Sequence, residues 1–130
     1  THSSFKENFE DILNESKKLG VGHFFCPAAE KKDIDEVIKF SSTYKEISCG
    51  IGIHPHHANE VDAELLMKLE TLINQEDITA IGEIGLDYYR DFQQKITQQE
   101  SFEVQLKLAS DHKMPVFLHN REAFKDFYTI

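Results

Sequence analysis

Apolar residues recur along the chain in two alternating patterns, one helical and one extended. Stretches with apolar residues three and four positions apart, as in an amphipathic helix, alternate with short apolar runs typical of buried strands. This alternation, in units of about 30 residues, predicts a parallel sheet because right-handed crossovers join successive strands. The predicted helices are Phe5–Leu19, Asp33–Tyr44, Asp62 through Ile73, Thr97 through Ala109 and Glu122 onward, and the predicted strands are Val21–Cys26, Ile47–Ile53, Ile78–Ile84 and Pro115–Leu118.

Polar residues at the predicted helix starts have the pattern of N-terminal caps. Asp33 and Asp62 each precede an apolar stripe, and Thr97-Gln98-Gln99-Glu100 has the spacing of a capping box. The run Val21–Cys26 contains no charge, which favours a strand buried on both faces. The predicted loops Pro55–Val61 and Gly85–Gln94 both come directly after strands.

Length and cysteine content narrow the class of protein. The chain has 130 residues, which suits a single domain over 1–130. No apolar run approaches the roughly 20 residues that cross a bilayer, and the first residues are not a basic-then-apolar leader. Cys26 and Cys49 lie in apolar surroundings, as expected for buried thiols in a reducing compartment. We therefore expect a cytoplasmic protein without a membrane partner.

The net charge argues against binding of nucleic acid through a basic surface. Lys and Arg number 14 against 23 Asp and Glu, which gives a formal charge of −9. A phosphate-bearing substrate would therefore need a local reversal of the field. A bound divalent cation would supply that reversal.

Ionisable side chains follow three successive predicted strands. In parallel α/β architectures the carboxyl ends of the strands form the active face. Glu and His are residue types that bind borderline or hard divalent cations, so this arrangement predicts a carboxylate–imidazole metal site. The residues are His54, His56 and His57 after the second strand, Glu83 and Asp87 at the third, and His119 and Arg121 at the fourth.

Structural interpretations of the same residues remain open. Glu83 could be a buried carboxylate paired with Arg121, and His119 could bond backbone carbonyls. Arg121 could bind a phosphate or only support a carboxylate ligand. Tyr88-Tyr89-Arg90 could stack on a nucleobase or pack over the sheet. His57 is expected to be exposed, and His2, His23 and His112 are expected to lie away from this face.

Three segments of the chain resemble the motifs of a known family. Gly52-Ile53-His54-Pro55-His56, then Ala80 through Tyr88, then Pro115 through Arg121, are similar to the signatures of TatD-type metal-dependent deoxyribonucleases. The resemblance implies a parallel (β/α)₈ barrel of TIM type, of which four strands and their flanking helices, about half, are present here. It also implies one or two divalent cations (Mg, Mn or Zn) and exonuclease activity on DNA, single-stranded or at ends.

The resemblance also implies residue roles. Glu83 and His119 would be the catalytic metal ligands, His54, His56 and Arg121 would lie near the substrate phosphate, and Asp87 would be a polar neighbour of the metal. The family's early His-x-His motif and its later histidine and aspartate have no counterpart in the sequence. These missing motifs leave open a catalytically incomplete half-barrel that self-associates. Because a barrel fold does not fix the substrate, hydrolysis of an amide or ester, as in an aminoacyl-tRNA deacylase, also stays open.

Overall fold

The computed structural model describes residues 8–130. It confirms the predicted alternation of helices and strands, while Phe5, the predicted start of the first helix, lies outside the described residues. Short 3₁₀ helices precede α2 and α3, at Lys31–Asp33 and Pro55–Glu60. The elements are α1 (Phe9–Lys18), β1 (Phe24–Pro27), α2 (Ile34–Thr43), β2 (Ile47–Ile51), α3 (Ala63–Gln75), β3 (Ile78–Asp87), α4 (Lys95–Asp111), β4 (Val116–Arg121) and α5 (Phe124–Thr129).

The strands form one sheet in chain order, β1-β2-β3-β4, and every neighbouring pair is parallel. The sheet and its flanking helices form about half of a TIM-type barrel, as the family resemblance implied. In the register between β3 and β4, Gly85 lies opposite His119 and Asp87 opposite Arg121. Because all strands run the same way, their carboxyl ends meet at one edge of the sheet.

The core lies between the sheet and the helices. Leu65 and Leu69, from the apolar stripe predicted on α3, are fully buried. They join one cluster with apolar side chains from the strands and from α2 and α4. Other members of this cluster are Val37, Ile51, Ile81, Ile84, Leu86 and Phe102.

Two glycines allow β3 and β4 to approach closely beside Glu83. Gly82 and Gly85 have φ angles of +149° and +145°. A Cβ atom at Gly85 would lie 1.9 Å from the carbonyl oxygen of His119, and one at Gly82 would lie 2.3 Å from that of Phe117. Any larger residue would therefore push β4 away from the strand that carries Glu83.

Several predicted strand boundaries and environments are wrong. β1 begins at Phe24 and is half-buried, not buried on both faces, because it is an outer strand of the described sheet. β3 continues through Asp87, so the residues from Gly85 onward that were predicted as loop are partly strand. The predicted loop Pro55–Val61 is largely the second 3₁₀ helix.

Only one of the three predicted caps forms. The Asp62 carboxylate accepts a hydrogen bond from the Leu65 amide at 2.7 Å, which confirms that cap. The Asp33 side chain accepts instead from the Ala29 amide at 3.3 Å. The capping box at Thr97 is wrong because α4 already begins at Lys95.

Both cysteine thiols are free. Cys49 is buried as expected, whereas Cys26 is half-buried, and burial raises the pKa of both. No helix in residues 8–130 combines the length and the apolar character that a membrane crossing requires.

Candidate active site at the carboxyl ends of the strands

The structure brings together most of the side chains singled out in the sequence. β3 carries Glu83 and Asp87 and β4 carries His119, while the chain leaving β2 leads directly into the 3₁₀ helix that follows His54. The ring centres of His54 and His119 lie 4.3 Å apart, and so do the ring centres of His54 and His56. The carboxyl ends of β2, β3 and β4 thus form one compact cluster of imidazoles and carboxylates.

Asp87 is the hydrogen-bonding centre of this cluster, and only 1% of the residue is exposed. Its Oδ2 accepts from Nε2 of His56 at 2.8 Å and from Nε2 of His119 at 3.1 Å. Its Oδ1 accepts from the backbone N–H groups of Tyr89 at 3.1 Å and Arg90 at 2.9 Å. Burial opposes ionisation, but these hydrogen bonds outweigh it and lower the pKa of Asp87 to about 2.

The carboxylate of Asp87 determines which nitrogen of His119 carries the proton. Because an ionised carboxylate only accepts, Nε2 of His119 is a donor, and in a ring that carries a single proton Nδ1 is then a lone pair. That lone pair faces Oε1 of Glu83 at 3.1 Å. At this distance the two atoms share either a proton, as a hydrogen bond, or a metal cation that both of them bind.

This contact fits a divalent cation. Two ligands of one cation, each about 2.1 Å from it, lie about 3 Å apart when they subtend a right angle. A histidine ligand also commonly donates its other N–H to a carboxylate, as His119 does to Asp87. Glu83 and His119 therefore have the ligand atoms of a metal site, and His119 has the supporting hydrogen bond that such a site commonly shows.

His54 turns its Nε2 atom, not its Nδ1 atom, toward Glu83. Its Nδ1 accepts from the His56 amide at 3.1 Å. Burial, followed by the neighbouring His119 and His56, lowers the pKa of His54 to about 3, so the ring is neutral near pH 7 and its proton resides on Nε2. This Nε2 lies 3.9 Å from Oε1 of Glu83. Although His54, Glu83 and His119 have ligand-type atoms within 4.8 Å of one another, His54 offers a hydrogen-bond donor rather than a lone pair.

Arg121 lies apart from the carboxylates. Its guanidinium carbon is 3.8 Å from the centre of the Tyr89 ring. Among residues 8–130 it forms no ion pair with Glu83, and His119 bonds carboxylates rather than backbone carbonyls. The structure therefore contradicts a Glu83–Arg121 pair and a His119 bonded to backbone carbonyls.

The two tyrosines of the loop after β3 differ in their surroundings. The Tyr88 hydroxyl donates to Asp126 at 2.9 Å and accepts from Gln99 at 2.7 Å. Tyr88 thus packs against α4 and α5, whereas Tyr89 is exposed beside Arg121.

Sequence analysis missed two buried glutamines on α4. Gln98 accepts from the Asp87 amide at 2.8 Å and donates to its carbonyl at 3.1 Å. Gln105 makes the same pair of bonds to Ile53, at 2.8 and 3.2 Å. Each glutamine thereby fixes the backbone at or directly before a site residue. The available signal was their position on the inward face of α4, shared with Phe102.

The remaining described histidines lie outside this cluster. His57 is partly exposed and lies 3.2 Å from Glu60 and 3.9 Å from Glu30. These could also group around an ion, but Lys32 already pairs with Glu30 at 2.6 Å. His23 bonds the Ser48 hydroxyl and His112 lies near Glu70.

Comparison with known proteins agrees with this fold and motif pattern. The family model described as TatD related DNase matches residues 1–130. The "3'-5' ssDNA/RNA exonuclease TatD" of Pantoea ananatis is 31% identical over 131 residues, and that of Escherichia coli K12 is 30% identical over 130 residues. Each match covers 100% of this chain and 50% of the relative, so the chain spans about half the length of these relatives.

Solved structures give the same result. The TatD homologue YJJV from Escherichia coli K12 superposes with a TM-score of 0.91 at 28% identity, over 98% of this chain and 50% of that one. A TatD family hydrolase from Entamoeba histolytica gives a TM-score of 0.80 at 28% identity, over 95% and 44% of the respective chains. The chain therefore belongs to the TatD related DNase family.

Proposed function

We propose that this chain supplies the metal-binding part of a divalent-cation-dependent nuclease that removes nucleotides from DNA ends, with single-stranded DNA as substrate. The observation that carries the proposal is the 3.1 Å contact between Nδ1 of His119 and Oε1 of Glu83, a separation that two ligands of one divalent cation would also have. The TatD relatives named as single-stranded DNA and RNA exonucleases support the choice of substrate.

Glu83 and His119 would hold the cation, which is Mg²⁺, Mn²⁺ or Zn²⁺. When bound, the cation polarises the phosphodiester and activates water for attack. Asp87 keeps the proton of His119 on Nε2, so that Nδ1 stays free as a ligand. Without that hydrogen bond, the proton could move to the nitrogen that faces Glu83.

The substrate phosphate would be positioned by groups around this pair. The Nε2–H of His54 points a neutral donor into the cluster, which suits a phosphate oxygen. His56 donates to Asp87 and thereby orders the same carboxylate that orients His119. Arg121 supplies a cation two residues beyond His119, at the edge of the site.

The test compares Glu83→Gln with Glu64→Gln in the protein that carries this chain, after its intact mass has been measured. We expect Glu83→Gln to lower chelator-sensitive release of nucleotides from single-stranded DNA by at least about 100-fold, because it removes a ligand charge. Glu64 is exposed on α3, so its substitution should leave the rate unchanged.

Urea unfolding should show that both variants remain folded. Degradation that resists chelators, or that survives Glu83→Gln, would show that the site does not carry the activity. Parallel assays with RNA and with aminoacyl-tRNA esters separate the nuclease from the ester hydrolase.

We also propose that the protein works in the cytoplasm and that residues 1–130 act as one unit of its barrel. Free thiols at Cys26 and Cys49 support a reducing compartment. A continuous core that joins the strands to α2, α3 and α4 supports the single unit.

A further inference from the structure

Two large aromatic rings are exposed in the loop that follows β3, beside the candidate site. Tyr89 is 53% exposed and Phe92 is 62% exposed, although the neighbouring Tyr88 is largely covered. Exposed apolar area next to a polar cluster is typical of a surface that binds a ligand.

Phe92 is in direct contact with the candidate site. Its ring centre lies 4.8 Å from that of His56, with the two planes inclined at 67°. His56 in turn bonds Asp87, which bonds His119. A flat group resting on Phe92 would therefore lie next to whatever occupies the space at Glu83 and His119.

Tyr89 presents a second planar surface, and Arg121 extends it. The guanidinium of Arg121 stacks over the ring at 3.8 Å, and Arg90 lies 5.9 Å from the same ring. Lys95 lies 4.5 Å from the centre of the adjacent Tyr88 ring. These three cations lie beside the aromatic rings of the loop in a chain whose net charge is −9.

A flat, π-faced group joined to a phosphate is the chemistry that matches this surface. Aromatic rings and guanidinium planes stack on nucleobases of any sequence, and cations beside them attract the backbone. We propose that Tyr89, Phe92 and Arg121 form a stacking platform for the bases of a single strand whose phosphate lies at Glu83 and His119. The platform rests on the proposed nuclease function and adds the part of the substrate that the metal pair does not contact.

The test measures binding of two phosphorothioate-linked single strands, which resist hydrolysis. One carries all its bases and the other has abasic sites at its last three 3′ positions. We expect the protein to bind the first strand about tenfold more tightly, since stacking contributes per base. Phe92→Leu and Tyr89→Leu should remove most of this preference, and Phe92→Trp should retain it.

The affinity for the abasic strand separates stacking from a structural role of Phe92. Loss of stacking leaves that affinity unchanged, whereas a disturbed His56 would weaken binding of both strands equally. Tyr128→Leu, an exposed ring on α5, is the matched control and should change neither affinity.

Equal affinity of the unsubstituted protein for both strands would overturn the platform, as would an unchanged preference in both leucine variants. Nuclease activity is measured in parallel. If Glu83-dependent degradation persists without a base preference, the platform alone is wrong. If neither strand binds and no DNA is degraded, the proposed function is wrong as well.

Discussion

Asp87 links His56 and His119 through a single buried carboxylate. Both of its oxygens are occupied by two N–H groups each. The position of one proton on His119 follows from this arrangement. Metal affinity should therefore depend strongly on a residue that is not itself a proposed ligand.

Replacing Asp87 with asparagine should lower the affinity for Mn²⁺ by about 10- to 100-fold, the range seen when such supporting groups are removed. The amide NH₂ cannot accept from two imidazoles, so the proton of His119 can shift to Nδ1. Isothermal titration with Mn²⁺ measures the change. Asp91→Asn, in the following loop, is the control and should bind as the unsubstituted protein does; equal affinity in the two variants would contradict this role of Asp87.

His54 should make the metal-free fold sensitive to acid. Its pKa is about 3 in the folded chain against an ordinary 6.5, so the unfolded chain binds more protons between these values. Stability is therefore lost as the pH falls below 6.5. Between pH 7 and pH 5 this residue should cost about 2 kcal/mol.

The variant that tests this is His54→Asn, which keeps an acceptor for the His56 amide but does not titrate. Urea unfolding with chelator at pH 7 and pH 5 should show a smaller loss in this variant by about the same amount. His112→Asn, outside the site, should keep the full loss. If His54→Asn and the unsubstituted chain lose stability equally, His54 is not the acid-sensitive group.

Among the helices, α4 does the most to position the site. Seven residues separate Gln98 from Gln105, two helical turns, so both face the sheet and each binds the backbone of one strand end. The apolar periodicity predicted the helix and the inward side of Phe102 correctly. The periodicity did not predict the role of Gln98, because the capping-box pattern of Thr97 through Glu100 accounts for this residue without any contact to Asp87.

In the site, too, the sequence predicts which residues come together but not how they contact one another. Residue types at strand ends predicted that His54, Glu83 and His119 would meet, because parallel strands align their carboxyl ends. Which nitrogen of His119 faces Asp87 and which faces Glu83 depends on distances between two strands, and no sequence pattern encodes those distances. The exposure of β4 and the position of Arg121 over Tyr89 likewise depend on contacts between segments that are distant in the sequence.

Replacing Gln98 with leucine should destabilise the fold by about 2–4 kcal/mol, because it leaves the buried amide and carbonyl of Asp87 without partners. Gln105→Leu should have a similar effect through Ile53. Urea unfolding measures both, and Gln75→Leu on the exposed side of α3 should change stability little. Near-unchanged stability in both α4 variants would mean that water replaces the glutamines.

The molecule as a whole has an acidic surface and an exposed outer strand. Side chains of Val116, Phe117 and Leu118 on β4 are exposed, although this strand pairs with β3 along its full length. Relatives of twice the length share the fold of this half. An exposed apolar outer strand tends to pair with another chain.

The 130-residue segment expressed alone should therefore self-associate as its concentration rises. Sedimentation velocity over a 100-fold concentration range measures this. Leu118→Lys should shift the equilibrium toward the monomer, because charge on an outer strand opposes pairing. Met67→Lys, an exposed site on α3, should have no such effect; a monomer at every concentration would show that the strand is protected in another way.

The proposed metal ligands and His54, the proposed hydrogen-bond donor to the phosphate, come from three consecutive strand ends, so they occupy one continuous stretch of the sequence. Exchange of genetic material at any point outside residues 54–121 transfers His54, Glu83, Asp87, His119 and Arg121 together. Both supporting glutamines and the exposed aromatic rings lie within the same stretch. The chemistry of this half of the barrel can thus be inherited as a single block, whatever sequence is joined to either side of it.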